Sequence, residues 1–237
     1  MSTISIPEAS QYKEGKDNTG VVEIPACFPG YGTTLGNAIR RVLLSSLEGA
    51  AITSVKIKGV SHEFSAIDGV MEDVVQIILN LKQIRFKMHT DEKVTATLKV
   101  KGEGDVTAAD IKTSSDVEVV DGSQHIATIT DKKTTLEMEF TIEKGIGYVP
   151  SGQREGEEKE IGSIVIDAVY TPVKRVNYNV ENMRVGKRTD YEKVTLEIVT
   201  DGSITPQEAF EQSVDILVAQ FKALSANGDD VIDAEEE

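Results

Sequence analysis

An amphipathic helix early in the chain is the feature that most constrains the fold. Residues 34–48, taken as a helix, place small and apolar side chains at the i, i+3/i+4 and i+7 positions of one face. These residues are Leu35, Ala38, Ile39, Val42, Leu43, Ser46 and Leu47. Such a stripe has to be covered by a core or by a second subunit.

The opposite face of this predicted helix carries Asn37, Arg41, Leu44 and Glu48. Arginine offers a planar set of donors and leucine offers apolar contact, so this face is suited to docking a partner protein. The other interpretation is that Arg41 is a solvated charge and Leu44 a scattered surface leucine, as is common on protein surfaces. Spacing alone leaves both interpretations open.

Three glycines, Gly30, Gly32 and Gly36, offer an alternative, because a glycine-rich turn after an apolar strand is typical of dinucleotide-binding loops. The spacing is one residue longer than G-x-G-x-x-G, and no convincing strand with an acidic residue follows about 20 residues later. A nucleotide-binding enzyme built on the Gly30–Gly36 turn is therefore kept only as an alternative hypothesis.

The charge balance argues against a general nucleic-acid binder. The 237 residues carry a formal net charge of −15, and six of the acids lie in the tail from Asp229 to Glu237. Phosphate-binding surfaces require clustered lysine and arginine instead. Hydrophobic residues make up 39% of the chain, which is enough for the core of one large or two modest domains.

The single cysteine, Cys27, excludes an internal disulfide and zinc clusters built from thiolates. The first residues lack a basic and apolar signal segment, and no apolar run approaches the roughly 20 residues that cross a bilayer. We therefore expect a cytoplasmic protein with no membrane contact.

The chain offers no self-contained active site. Its three histidines are not paired at metal-ligand spacing, and motifs for nucleophilic or phosphate-binding chemistry do not occur. Asp68, Glu72 and Asp73 resemble a metal cluster only superficially, since acids at a helix start are the ordinary explanation. We expect no catalytic, cofactor-binding or metal-binding residues in this chain.

The middle of the chain is predicted to be rich in strands. A second helix, about Gly69–Gln83 with Asp68 as its cap, precedes short β-branched segments that glycine and aspartate separate. The predicted strands are Val21–Phe28, Ala51–Val60, Val94–Val100, Val117–Val120, His125–Thr130, Thr135–Glu143, Ile161–Tyr170, Val176–Val180 and Val194–Thr200.

The last helix has a clear start, because Thr205, Pro206 and Glu208 form a capping box with proline at the first helical position. Its apolar stripe suits either packing within the chain or a dimer interface, and the pattern does not decide which residues do which. The dimer hypothesis pairs the stripes of both helices across a C2 axis. The residues concerned are Leu35, Ile39, Leu43, Phe210, Val214, Leu217 and Phe221.

The two strongly patterned helices lie near opposite ends of the chain, with the strands between them. We therefore predict an α+β fold with a discontinuous dimerisation domain (residues 1–49 and 174–226) and an inserted strand-rich domain (residues 50–173). Residues 227–237 are predicted to be an acidic tail or the start of a linker.

Four ordered blocks of the sequence resemble the N-terminal part of bacterial and plastid RNA polymerase alpha subunits. The longest starts with GYGTTLGNAIRRVLLSSLEG and ends with DVVQIILNLK. The others are GDVTAADI, GIGYVPS and TPVKRVNYNVENMRVGKRTDYEKVTLEIVTDGSITPQEA. Together they cover nearly the whole chain from Gly30 to Leu224, so the chain is identified as a member of this family.

The resemblance implies a homodimeric scaffold that recruits the large beta and beta-prime subunits of DNA-directed RNA polymerase, a nucleotidyltransferase. The catalytic magnesium is then expected in a partner subunit. The family pattern implies beta docking by Arg41, with Asn37 and Leu44 on the same face and Lys82 in the inserted domain. Less specific stretches around Val173, Arg184 and Arg188 match the side that faces beta-prime.

The family also has a C-terminal helical domain that binds promoter DNA through a flexible connection. The acidic end of this sequence resembles the start of that linker, so contact with promoter DNA is expected only through a domain absent from this chain. The resemblance fits a bacterial, nucleoid-associated protein as well as a plastid one. A dimeric interaction module outside transcription is a third hypothesis, which shares the dimer but not the partners.

Overall fold

The computed structural model describes residues 4–154 and 162–224. These residues form two compact units, one made of the chain up to Leu47 and from Pro172 onward, the other made of Glu48–Thr171. We call them the terminal unit and the inserted unit. Both combine helix with antiparallel sheet, so the fold is α+β as predicted. The predicted tail at residues 227–237 lies outside the described residues.

The elements follow one another as three α-helices and a series of strands. The first are β1 (Gln11–Glu14), β2 (Thr19–Cys27), α1 (Tyr31–Ser45), β3 (Glu48–Ile57), α2 (Val74–Leu81), β4 (Phe86–Met88), β5 (Val94–Lys101), β6 (Gly104–Thr107), β7 (Ile111–Lys112) and β8 (Val117–Val119). The remainder are β9 (His125–Ile129), β10 (Thr135–Ile146), β11 (Tyr148–Val149), β12 (Ser163–Val165), β13 (Ala168–Val169), β14 (Val173–Val185), β15 (Arg188–Thr200) and α3 (Pro206–Ala223).

The terminal unit is built on a four-stranded sheet in the order β1-β2-β15-β14. Its largest element is the hairpin of β14 and β15, in which each strand has 13 residues and Gly186 turns the chain with φ 62°. The two strands predicted here are parts of these longer strands: Val176–Val180 is the middle of β14, and Val194–Thr200 is the C-terminal half of β15. Helices α1 and α3 pack against this sheet and against each other, and apolar side chains from both helices and the sheet form one core.

Helix α1 begins at Tyr31, earlier than the predicted start at Thr34, because its N-terminus is capped by a residue distant in sequence. Gly30 adopts a left-handed conformation with φ 86° and provides no side-chain cap. The Glu192 carboxylate on β15 instead accepts hydrogen bonds from Gly30 N at 3.0 Å and Gly32 N at 2.7 Å. A carboxylate at this position satisfies free N–H groups and opposes the positive end of the helix dipole.

The inserted unit is built on a seven-stranded sheet in the order β7-β5-β10-β3-β4-β8, with β12 also paired to β3. Alternate residues of β5 and β10 are buried, so the sheet presents one face to the core and one to solvent. Helix α2 covers the core through Val74, Ile77 and Leu81. Strands β6 and β9 form a separate two-stranded ribbon against it.

Helix α2 is shorter than predicted, and Asp73 rather than Asp68 is its cap. Asp73 Oδ1 accepts a hydrogen bond from Gln76 N at 2.7 Å. The residues before it do not join the helix because they pair with β9: Val70 forms a bridge with Ile129, and Met71 N donates to Thr128 O at 2.9 Å. This tertiary pairing competes with helix formation and moves the start of the helix to Val74.

Helix α3 begins as predicted. The Thr205 side chain accepts from Glu208 N, the Glu208 carboxylate accepts from Thr205 N, and Pro206 occupies the first turn. This confirms the capping box read from the sequence.

We expect Gly36→Ala to destabilise the protein by about 1–2 kcal/mol, because overpacking costs about 1–3 kcal/mol and exceeds the gain in helix propensity. An ideal Cβ on Gly36 would lie 2.7 Å from the Tyr178 ring. Urea denaturation followed by circular dichroism measures the change. Asn37→Ala, one residue further on the exposed side, is the control and should be neutral or slightly stabilising. Equal midpoints for the two variants would contradict the close contact.

Candidate functional site

The inner side of α1 is fixed on the β14–β15 hairpin by two glycines. Cβ atoms at Gly36 and Gly32 would lie 2.7 Å from Tyr178 Cδ2 and 2.9 Å from Val180 Cγ1, closer than real Cβ contacts. Only glycine lets the helix backbone approach the strand so closely. Ile39 continues this side into the core. The rotation of α1 about its own axis is therefore set, and with it the direction of the outer face.

The outer face of α1 presents Asn37 and Arg41 to solvent. No residue within 4–154 or 162–224 accepts a hydrogen bond from the Arg41 guanidinium or forms an ion pair with it. Its neighbour differs, since Arg40 Nε donates to Val176 O at 3.2 Å and is tied to the hairpin. Leu44 is half-buried against the core and presents less surface than the sequence predicted.

A shallow groove of about 560 Å³ runs along this outer face. Its lining combines hydroxyl, amide and guanidinium groups of α1 with an apolar wall from α3. The lining residues are Thr33, Thr34, Asn37, Ala38, Arg41, Val42 and Leu217. A groove with a free guanidinium and an apolar wall is suited to a partner that offers an acceptor beside an apolar side chain.

The structure separates the apolar stripe residues that the sequence left undivided. Ile39, Leu43 and Phe210 are buried in the core of a single chain, where α1 and α3 contact each other. Leu35, Val214 and Leu217 are half-buried at the margin of that core. Beyond them α3 becomes exposed, and its apolar residues Val218, Phe221 and Leu224 have exposed fractions of 44%, 65% and 82%.

Lys82, which the resemblance places in beta docking, ends α2 in the inserted unit. Its Nζ lies 3.0 Å from Asp167 Oδ2, and Asp167 Oδ1 accepts a hydrogen bond from Ser151 N at 2.9 Å. These residues line a groove of about 520 Å³ that also contains exposed Phe64 and Leu79. Lys82 is therefore held in one position rather than extended freely into solvent.

The three residues matched to the beta-prime-facing side have different environments. Val173 is only 4% exposed, so its side chain belongs to the core and not to a contact surface. Arg184 Nε donates to Gly186 O at 2.9 Å in the hairpin turn. Arg188 forms two hydrogen bonds to Asp190 and stacks its guanidinium over Phe28 and Tyr191.

The acids before α2 have structural partners. The Glu72 carboxylate accepts a hydrogen bond from Thr128 N at 2.7 Å and lies 2.9 Å from His125 Nε2. Burial opposes its ionisation, but these two contacts outweigh that effect and lower the pKa of Glu72. Within the described ranges, no group of three or more His, Cys, Asp or Glu side chains is placed to hold a metal ion.

The glycine turn does not form a phosphate cradle. The N–H groups of Gly30 and Gly32, which would face a phosphate, donate to the Glu192 carboxylate. Gly36 lies in the second turn of α1 against Tyr178. A bound anion here would have to displace a carboxylate, so the geometry does not favour the nucleotide-binding alternative.

The single cysteine, Cys27, is buried in the core of the terminal unit. Burial raises the pKa of the Cys27 thiol, and the nearby Glu192 carboxylate raises it further, so the thiol is kept neutral.

No helix in the described part of the chain is both long and apolar enough to cross a membrane.

Sequence reasoning missed Glu192 and Tyr178, the two hairpin residues that orient α1. Glu192 lies in β15, just before its alternating part, and has no local partner that would reveal a cap. The one available signal was the pair of glycines inside an otherwise apolar helix, Gly32 and Gly36, which often mark a close approach of another element.

We expect Asp167→Asn to lower the stability of the inserted unit by about 1 kcal/mol at neutral pH, discounting a charged hydrogen bond for partial exposure. The Ser151 N–H and then Lys82 hold the pKa of Asp167 well below its usual range. The carboxylate therefore contributes stability above its ordinary pKa of about 3.9, and this contribution is lost as pH falls through the lower folded pKa. Urea denaturation at pH 7 and below pH 4 should show a difference between wild type and variant that shrinks in acid. A constant difference would contradict this assignment.

Comparisons of the chain with a protein-family profile and with known proteins agree on one family. A profile described as the RNA polymerase Rpb3/RpoA insert domain matches residues 55–171, which lie in the inserted unit. The chain is 48% identical over 223 residues to the DNA-directed RNA polymerase subunit alpha of Clostridium kluyveri, covering 94% of this chain and 70% of that protein.

Subunits of the same name from Alkaliphilus oremlandii and Symbiobacterium thermophilum are each 50% identical, over 97% and 85% of this chain and 72% and 65% of their own lengths. These identities extend over both units and confirm the family that the sequence blocks predicted. The chain belongs to the family of DNA-directed RNA polymerase alpha subunits.

Proposed function

We propose that two copies of this chain form the scaffold on which the large beta and beta-prime subunits of RNA polymerase assemble for DNA-templated RNA synthesis. The observation that carries this proposal is the free Arg41 guanidinium on the outer face of α1. It stands on a helix whose opposite face is fixed by glycine contacts, so it meets a partner in one orientation.

Docking of beta is proposed at the groove beside Arg41. An arginine with no partner in its own chain loses no internal hydrogen bond when a partner carboxylate or carbonyl approaches. Asn37 adds a second donor and acceptor on the same face, and Leu217 provides the apolar wall. Leu44 contributes only the part of its surface that the core leaves exposed.

Dimerisation is proposed through the exposed end of α3 together with the half-buried margin of the core. Burial of an apolar side chain contributes roughly 1.5–3 kcal/mol, so the exposed Val218, Phe221 and Leu224 favour a covered state. A C2 axis lets this surface meet its own copy, with Leu35, Val214 and Leu217 at its edge. Ile39, Leu43 and Phe210 support the surface from within the core instead of lining it.

The remaining contacts are proposed at the inserted unit and at the hairpin turn. Lys82, held by Asp167, is assigned to the large subunits, and the Arg184–Arg188 turn to beta-prime. The chain acts in the nucleotidyltransferase only as a subunit, and the catalytic magnesium belongs to a partner. A bacterial cytoplasmic location follows from this role.

Arg41→Ala should leave the dimer intact and lower capture of the beta subunit at least about tenfold, because a hot-spot arginine contributes about 2 kcal/mol or more. Co-purification of the tagged full chain with co-expressed beta measures capture. Arg40→Ala is the matched control, since it loses a hydrogen bond to Val176 but lies outside the groove. Capture of beta by Arg41→Ala at wild-type strength would contradict the docking assignment.

Phe221→Glu should convert the dimer into a folded monomer, because it places charge in the proposed interface while leaving the core of one chain untouched. Phe221 is 65% exposed, so the variant should retain the stability of a surface substitution, within about 0.5 kcal/mol. Light scattering measures the mass. Gln220→Glu makes the same change in charge one residue earlier and should remain dimeric. A dimeric Phe221→Glu protein would place the interface elsewhere.

A further inference from the structure

The solvent face of the large sheet in the inserted unit carries a concentration of lysines that neither docking nor dimerisation uses. Lys56 lies at the end of β3 and Lys58 directly after it, Lys99 and Lys101 lie at the end of β5, and Lys112 lies on β7. All five side chains are exposed. Threonines and the glutamates Glu137 and Glu139 lie around them, in a chain with a formal net charge of −15.

Strand register places these lysines on both sides of β10. Lys99 is opposite Glu137, and Glu139 is opposite both Thr97 and Lys56. Lys112 is opposite Thr97 on the outer side of β5. Two columns of lysine therefore flank Glu137 and Glu139, and all of these residues except Lys101 line a cleft of about 650 Å³.

Among the described residues that line this cleft, four lysines face two glutamates. Lys58 Nζ and Lys99 Nζ lie 3.0 and 3.5 Å from the same oxygen of Glu137, Oε2, so two ammonium groups share one carboxylate. The contacts lower the pKa of Glu137, so it stays charged. No residue in 4–154 or 162–224 forms a hydrogen bond or ion pair with the side chains of Lys101 and Lys112.

We infer that this lysine cleft is a docking surface for an acidic, extended polypeptide segment of a partner protein. Same-face residues of a strand repeat every 6.4–6.8 Å or so, which is the spacing of Lys99 with Lys101 and also the spacing of alternate side chains in an extended peptide. Acids at alternate positions of such a segment match the lysine column, with charge complementarity setting the choice of partner.

The central glutamates favour a polypeptide over nucleic acid. A phosphate backbone carries one charge at every nucleotide, so it would place phosphates against Glu137 and Glu139. A peptide can place a neutral or donor side chain there instead. The surface involves none of the residues assigned to dimerisation or to beta docking, so a test of this inference is independent of the proposed function.

The test is fluorescence anisotropy of a labelled, alternating Glu-Thr peptide with the full chain. At a salt concentration near 0.1 M, repulsion between the peptide and the other acidic groups of the chain is screened beyond about 10 Å. We expect the wild type to bind this peptide and not a Lys-Thr peptide of equal length. Lys99→Glu with Lys112→Glu should weaken binding at least about tenfold, since like charges placed close together across an interface strongly oppose binding.

The matched control is Lys132→Glu with Lys133→Glu, the same charge change on exposed lysines of the turn before β10, which should bind as the wild type does. Lys99→Gln with Lys112→Gln covers the case in which charge reversal beside Glu137 unfolds the sheet, and should also weaken binding. The inference is overturned if the wild type does not bind the acidic peptide, or if the glutamine variant binds it unchanged. Equally tight binding of duplex DNA of the same charge through these lysines would also overturn it.

Discussion

The close contact between α1 and the β14–β15 hairpin is the constraint on which the terminal unit depends. Gly32 and Gly36 remove the side chains that would hold the helix away from Tyr178 and Val180. Glu192 on the same hairpin caps the helix N-terminus. Close packing and capping come from one element, so the position, start and rotation of α1 are determined together. Arg41 faces outward because the opposite side of the helix has no freedom to turn.

In the inserted unit, helix α2 is also held in place by residues that are distant in sequence. A core centred on Phe86 and Phe140 receives α2 from one side, while the β9 ribbon holds the segment before it. At the other end of α2, Asp167 joins Lys82 to the start of the Ser151–Arg154 turn. A helix of only eight residues is stabilised mainly by such tertiary contacts rather than by its own propensity.

Sequence patterns predicted those features that depend on neighbours in the chain. The capping box at Thr205, the apolar stripe of α1 and most of the alternating strands are local and were recovered. The predicted strand Ile161–Tyr170 was wrong as one element, because its described part is divided into β12 and β13. The starts of α1 and α2 were wrong because Glu192 and the β9 pairing act across long sequence separations. The lengths of β14 and β15 were underestimated because polar residues dominate their exposed edges.

In the candidate site too, the sequence predicted the features that depend on local periodicity and not those that depend on distant neighbours. Periodicity placed Arg41 and Asn37 on the outer face of α1, where they are exposed, because helix geometry fixes which residues oppose the apolar stripe. It did not separate core residues such as Leu43 from exposed ones such as Phe221, because both continue one apolar pattern. The burial of Val173 and the ion pair of Lys82 also depend on three-dimensional neighbours.

Site-specific photo-crosslinking from position 37 tests the central claim most directly. Asn37 lines the groove beside Arg41, so a photoreactive residue there reports which protein covers the outer face of α1. With both large subunits present, we predict a crosslink from position 37 to beta and none from the same group at Lys132. A crosslink from position 37 only to a second copy of this chain would show that the face belongs to the dimer interface, and would contradict the account.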